Sequence, residues 1–322
     1  MTHPTLSIDG RESPDLSYGF WLSCHGYESR SVAHLDLLSL KADRRLSPGF
    51  EFPNASEDSE TSRRVALSRK RLQQAGYRTP VVNDEGFESS IRDELSRLDS
   101  LSSQTVAADI SSMSRSRISA LLIAFAEHLR TNPRSYLDLL YFPASFNTHK
   151  HGFEPLESLG PCHPHLSGWP ADADLPLALL LGLGTEPRRA DGVVEILEPD
   201  ILALYLPLGD EPEYSHELQK ENRRVLSVGG EPTRYSLRDP SALYLSLLAT
   251  GERLVERSRL VMVPLGPKLF TAVSVAAALS LGPEVGVWKA SSGSGVEMVD
   301  VQARGKPVVL RVSRGEPTSD VH

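Results

Sequence analysis

Two short motifs carry residue types suited to holding phosphate. Cys24-His25-Gly26-Tyr27-Glu28-Ser29-Arg30 and Gly182-Leu183-Gly184-Thr185-Glu186-Pro187-Arg188 both read Gly-x-Glu-x-Arg, and each follows a short apolar run. Glycine lets backbone approach a ligand, a helix start offers free N–H groups to an anion, and arginine presents a planar donor fork. Gly26, Glu28 and Arg30 are therefore candidate ligand contacts, as are Gly184, Glu186, Arg188 and the adjacent Arg189. Turn and cap chemistry accounts for the same residues, because a glutamate at a helix start is favoured by the dipole. A second pair of joints is Asp109-Ile110-Ser111-Ser112 and Val263-Pro264-Leu265-Gly266-Pro267-Lys268. Asp109, Ser111 and Ser112 are the polar candidates in one; Gly266 and Lys268 are those in the other, with the lysine as a mobile cation. The serine pair also reads as a plain N-cap.

No complete catalytic signature is legible, and no catalytic residue is assigned. The P-loop pattern Gly-x-x-x-x-Gly-Lys-Ser/Thr is absent. Cys24-His25 suggests a reactive thiol, against the simpler reading of a small residue at a strand end. His149, His151, Cys162, His163 and His165 are zinc-ligating types, but their spacing matches no standard finger, so no metal site is expected. Nothing in the chain names a cofactor.

The elements that must position these residues alternate between strand and helix. Residues 20–24, 105–109, 136–142, 177–181, 201–206, 233–236, 260–263 and 285–288 read as strands, with 81–82 a weak one. Helical spacing is clear at 63–75, 87–98, 111–129, 189–197, 215–226, 240–254 and 270–281, and a shorter stretch lies at 31–40. Residues 48–62 form an acidic, Ser- and Pro-rich loop. Alternation predicts parallel sheets with right-handed crossovers. The expected fold class is α/β, two tandem Rossmann-like halves with mainly parallel sheets and a C-terminal β-hairpin around Arg304-Gly305-Lys306. The boundaries read as a flexible N-terminus at 1–16, a first half at 17–146 and a linker at 147–176. A second half at 177–295 follows, then the hairpin and tail at 296–322.

The halves match in order at three places, each on a strand-to-helix joint. These are the two Gly-x-Glu-x-Arg motifs, the approaches to the helices at Phe87 and Leu243, and the joints at Asp109 and Val263. That order predicts an internal duplication, against two unrelated halves sharing generic loop chemistry.

Composition narrows the partners. The chain has 322 residues and a net charge of −8, which argues against generic or sequence-specific DNA binding. Two cysteines imply no disulfide framework, and no apolar run is long enough for a membrane span. The polar N-terminal stretch lacks a signal-peptide core, so a cytoplasmic location is expected.

The second half resembles the CARF family, the CRISPR-associated Rossmann-fold domains. The likeness rests on Leu179-Leu180-Leu181-Gly182-Leu183-Gly184 and on Val263-Pro264-Leu265-Gly266-Pro267-Lys268-Leu269. The family's Gly-Thr-Lys-like loop here reads Gly266-Pro267-Lys268. The resemblance implies binding of cyclic oligonucleotides made in antiviral defence, at a pseudo-symmetric pair of domains that the tandem halves would supply. Three functions follow as expectations: a nucleotide or cyclic-oligonucleotide sensor, an enzyme cleaving a phosphate ester or nucleotide, or a non-catalytic scaffold subunit. Expected partners are a nucleotide-like phosphate ligand, a separate effector protein and a second copy in a homodimer, with no membrane.

Overall fold

The computed structural model describes residues 4–51, 59–98, 104–146, 155–168, 172, 174–209, 211–292 and 299–315. The chain divides into two compact units. The first comprises Pro4–Ser145 with the C-terminal segment from Glu297, and the second Phe146–Val296.

The first unit runs β1 (Leu6–Arg11), β2 (Ser17–Leu22), a 3₁₀ turn (Ser29–Val32), α1 (Ala33–Leu37) and β3 (Lys41–Leu46). It continues through α2 (Glu60–Gln74), α3 (Asp84–Ser96), β4 (Thr105–Asp109), α4 (Arg115–Thr131) and β5 (Tyr136–Tyr141). The second unit runs β6 (Ser158–Pro161), β7 (Leu177–Gly182), α5 (Arg189–Leu197), β8 (Ile201–Leu208), α6 (Pro212–Glu221) and α7 (Arg223–Val228). It closes with β9 (Thr233–Ser236), α8 (Pro240–Val255), β10 (Arg259–Pro264), α9 (Lys268–Leu281) and β11 (Gly286–Ser291). The last strand, β12 (Val308–Arg314), returns to the first unit's sheet.

Each sheet has six strands, ordered β1-β12-β5-β4-β2-β3 and β6-β11-β10-β7-β8-β9. The strands from β5 to β3 are parallel, as are those from β11 to β9. The two orders are therefore the same: β2, β3, β4 and β5 take the places of β7, β8, β10 and β11. Even β9 has a counterpart, because parallel bridges join Leu46 to Arg78 and Gly49 to Val81 beside β3. An antiparallel strand covers the last parallel one in each sheet, β12 on β5 and β6 on β11. The α/β class and the two Rossmann-like halves follow directly, since the first parallel strand of each, β2 or β7, lies inside the sheet and the chain winds outward from it in both directions.

Local chemistry explains most boundaries. Side-chain caps start four helices: Ser59 accepts from Ser62 N–H, Asn83 from Gly86, Ser114 from Arg117 and Asp239 from Ala242. Ser114, rather than the pair Ser111-Ser112, opens the long helix α4. Helix α4 is buried from Ser116 to Ala126 and α9 from Leu269 to Leu279, matching the small and apolar residues that dominate both stretches. One core cluster of the second unit joins Leu179, Leu181, Leu183, Leu204, Val261 and Val263. Among the described residues no helix is long and apolar enough to cross a membrane.

Three segments behave differently from the sequence pattern. Residues 6–11, within the stretch read as a flexible N-terminus, form β1, with Leu6 and Ile8 buried against β12. Residues 158–161, within the stretch read as linker, form β6 on the edge of the second sheet. The C-terminal strands β11 and β12 are both present, but β12 finds its partners in β1 and β5 rather than across the Arg304–Lys306 turn. The physical reason is shared: each is a strand completed by hydrogen bonds and burial from residues distant in sequence.

Candidate functional site

In each sheet the connections diverge between two neighbouring strands, β2 and β4 in the first unit and β7 and β10 in the second. Such a switch point is where α/β sheets hold ligands, beyond the carboxyl ends of the strands. All of the candidate contact residues lie at the ends of these four strands or on the loops and first helical turns that follow them, with Asp109 the last residue of β4.

In the second unit those loops close on each other. The Leu265 N–H donates to Gly182 O at 2.9 Å. A methyl group at Gly266 would collide with the Leu183 carbonyl oxygen, and one at Gly184 would lie 2.8 Å from Leu265 O. The two glycines thus permit contact of loop with loop. Asn222, buried at the break between α6 and α7, donates to Gly184 O at 2.8 Å and holds that loop from behind. Arg189 is buried and donates to Ser292 Oγ at 2.6 Å. Glu186 is half-buried, and its carbonyl accepts from the Arg189 N–H at 3.3 Å. Arg188 is exposed, has left-handed backbone (φ 54°) and lies 3.9 Å from the Asp191 carboxylate. Lys268 opens α9 half-buried. Arg188 and Lys268 are therefore the cations of this set that reach solvent.

The glycine contact makes a prediction. Gly266→Ala should lower stability by about 1–3 kcal/mol, because the added methyl has only a backbone carbonyl to displace. Gly26→Ala, where nothing lies within 4 Å of the added carbon, should change stability by less than about 0.5 kcal/mol. Urea denaturation of the two variants checks the contrast.

In the first unit the candidates are spent largely on one another. Arg30 Nε pairs with the Glu28 carboxylate at 2.5 Å, and the Arg30 N–H donates to Val301 O at 3.1 Å. Burial works against the Arg30 charge, but the carboxylate of Glu28, then Tyr141 and Asp109, outweigh it and hold its pKa above the usual value. Burial pushes the Tyr141 phenol up. Asp109 is fully enclosed: His34 Nδ1 lies 3.1 Å from Oδ2, and the Ser111 N–H donates to Oδ1 at 3.0 Å. Ser111 Oγ accepts from the Phe142 N–H at 2.8 Å, and Ser112 Oγ donates to Cys24 O at 2.8 Å. The Asp109 carboxylate is thus occupied by His34 Nδ1 and a backbone N–H, and the serines tie the end of β4 to the ends of its two neighbours.

Two residues beside this network organise an open cleft. Arg117, 1% exposed, donates to Gly49 O at 3.0 Å, Pro48 O at 3.3 Å and Val82 O at 2.6 Å. Its guanidinium lies 3.7 Å from the Phe50 ring centre and 4.9 Å from that of Phe87. His25, 0% exposed, places Nδ1 2.6 Å from Ser47 O; a carbonyl only accepts, so Nδ1 carries the hydrogen. Burial depresses the His25 pKa, and Arg69 and Arg117 depress it further against the raising effect of the Ser47 contact, so the ring is neutral at neutral pH. His25 lines a cleft of about 380 Å³ with Ser62, Ala66, Arg69, Lys70 and Val81. The second unit has a cleft of about 450 Å³ lined by Leu206, His216, Lys220, Arg223, Leu226 and Arg234. Both lie between the helices that follow the second parallel strand and the third strand position, so they are topologically equivalent. Volumes of this order suit a small ligand.

Arg69, Arg117, His25 and His34 were not singled out as contacts by spacing. Arg117 did leave a signal, since it falls four residues before Leu121 on the buried stripe of α4. Arg69 sits on an exposed helix face and left none. Of the histidine-cysteine cluster, His149 and His151 lie outside the described residues. Cys162 is buried, and His163 Nδ1 accepts from the His165 N–H at 3.2 Å. Among the described residues no group of three or more His, Cys, Asp or Glu side chains is arranged to hold a metal ion.

Comparison of the sequence with protein-family models and with curated proteins found no match.

Proposed function

We propose that this chain binds a phosphate-bearing ligand of the nucleotide class, as a sensor, in the two basic clefts between the helices after the second parallel strand and the third strand position. The observation that carries this reading is repetition. The same topological position in both units holds an open cleft lined by cations and by no carboxylate, Arg69 and Lys70 in one and Lys220, Arg223 and Arg234 in the other. Lys220 is partly offset by Glu217 and Glu221, each 3.0 Å away, so Arg223 and Arg234 carry most of the second cleft's field. Such concentration of one charge sign is notable in a chain of net charge −8. The narrower version, a cyclic oligonucleotide read in antiviral defence and relayed to a separate effector, rests on the resemblance of the 179–184 and 263–269 segments to CARF domains.

Thermal shift with mononucleotides, dinucleotides and cyclic oligoadenylates tests the reading through binding linkage. A ligand that raises the midpoint is then titrated calorimetrically into the Arg69→Ala/Lys70→Ala and Arg223→Ala/Arg234→Ala variants. Each double change should weaken binding at its own cleft by about tenfold or more, the effect of losing charged hydrogen bonds to phosphate. Added salt should weaken the wild type in the same direction. Absence of any midpoint shift across the panel, or unchanged affinity in both variants, sinks the proposal.

A further inference from the structure

We infer that the first unit's cleft takes a phosphate ester bearing a free hydroxyl, and that His25 Nε2 accepts the hydrogen bond from that hydroxyl. This deepens the phosphate-ligand reading and rests on it.

His25 Nδ1 is committed to Ser47 O at 2.6 Å, which leaves Nε2 as the acceptor nitrogen of the ring. Nε2 is buried and has no hydrogen-bond partner among the described residues. An acceptor left in that state is costly, and natural folds retain few of them. The fold itself does not require an imidazole there. Aligning the two Gly-x-Glu-x-Arg motifs puts Leu183 opposite His25, and Leu183 packs fully buried in the second unit's apolar core. The first unit thus carries a polar ring where its topological twin carries a leucine. Room for the ring comes from Gly49, where any side chain would collide with His25 Nε2.

The surroundings select what the nitrogen can meet. Arg69 and Lys70 from α2 share the lining of the cleft, and Arg117 from α4 acts on His25 from the other side. Val81, from the third strand position, and Ser62 add no charge. These cations disfavour an imidazolium, so Nε2 must be met by a donor. A phosphate dianion offers only acceptors. An ammonium would be placed beside two cations. A neutral hydroxyl satisfies both conditions, with Arg69 and Lys70 taking the phosphate of the same molecule.

AMP, 2′-deoxy-AMP, 3′-deoxy-AMP and inorganic phosphate are titrated into the wild type and into His25→Leu, which installs the residue of the twin position. Loss of the relevant hydroxyl should weaken wild-type binding about two- to tenfold, the worth of one hydrogen bond. That preference should vanish in His25→Leu, with the affinity for the deoxy ligand unchanged. In protein labelled with ¹⁵N-histidine, the His25 Nε2 resonance should move with AMP and stay fixed with phosphate, a readout that does not depend on the variant folding. If both deoxynucleotides bind the wild type as tightly as AMP, the inference is overturned and the phosphate-ligand reading stands. If the preference survives in His25→Leu, or Nε2 does not move with AMP, His25 is not the acceptor. If none of the four probes binds, the inference is overturned, while the phosphate-ligand reading falls only when the dinucleotides and cyclic oligoadenylates also fail to bind.

Discussion

Arg117→Met should destabilise the first unit by about 3–5 kcal/mol, enough to unfold a domain of ordinary stability or leave it marginal. The side chain is among the largest fully buried ones, and it serves three backbone carbonyls at once. Removing the guanidinium takes the donor from the oxygens of Pro48 and Val82, leaves Gly49 O with the Val82 N–H at 3.4 Å, and opens a gap between Phe50 and Phe87. Its nearest carboxylate, Asp84, is 3.4 Å away and mostly exposed, so loss of that ion pair contributes little. Arg117→Lys should recover only part of the loss, because one ammonium cannot reproduce a planar fork shared among three acceptors. The measurement is chemical denaturation followed by a first-unit probe such as the fluorescence of Trp21. A change below about 1 kcal/mol would show that the carbonyls find other donors. Because Arg117 anchors the Pro48–Gly49 segment against which His25 lies, Arg117→Lys should also weaken any ligand held in that cleft.

A second large effect is expected at Arg311, the residue of β12 that stands directly opposite Asp138 of β5. Arg311 Nε donates to Asp138 Oδ1 at 2.7 Å, and its terminal nitrogen reaches Oδ2 at 2.8 Å and Asp15 at 2.9 Å. The guanidinium stacks 3.7 Å from the Tyr136 ring centre, and Tyr18 donates to Asp138 Oδ2 at 2.8 Å. Asp138 is 0% exposed. Arg311→Met would leave that carboxylate buried without its cation, at a cost of about 3–5 kcal/mol. The double change Asp138→Leu/Arg311→Met should restore much of the loss, since well-packed apolar residues often replace a buried ion pair at little cost. Hydrogen exchange gives the local signature: amides of β1 and β12 should lose protection together in Arg311→Met, because among the described strands β12 is the one that pairs with β1. Protection retained in β1 would mean that strand register is set by packing alone.

Local pattern was enough for much of the fold. Strand β4, helix α5 and strand β9 have the bounds that spacing predicts, because each is defined by its own periodicity and turn residues. The repeated order of joints also anticipated the repeated strand order. Strand β3 escaped notice because it reads Lys-Ala-Asp-Arg-Arg-Leu, the charged composition of an outer strand. Strands β1, β6 and β12 acquire their identity from partners elsewhere in the chain.

The candidate site divides along the same line. The residue types at the switch points, the Gly-x-Glu-x-Arg motifs and the polar set around Asp109, were determined by the sequence. Tertiary structure alone decided their employment. Gly184 and Gly266 meet across two loops, Asp109 pairs with His34 from 75 residues away, and the open cations belong to Arg69, Lys70, Arg223 and Arg234. Hydrogen bonds and ion pairs act over a few ångströms of space and carry no trace in sequence separation. A motif therefore announces which chemistry is available, while the packing of distant segments settles whether a side chain faces a ligand or another part of the protein.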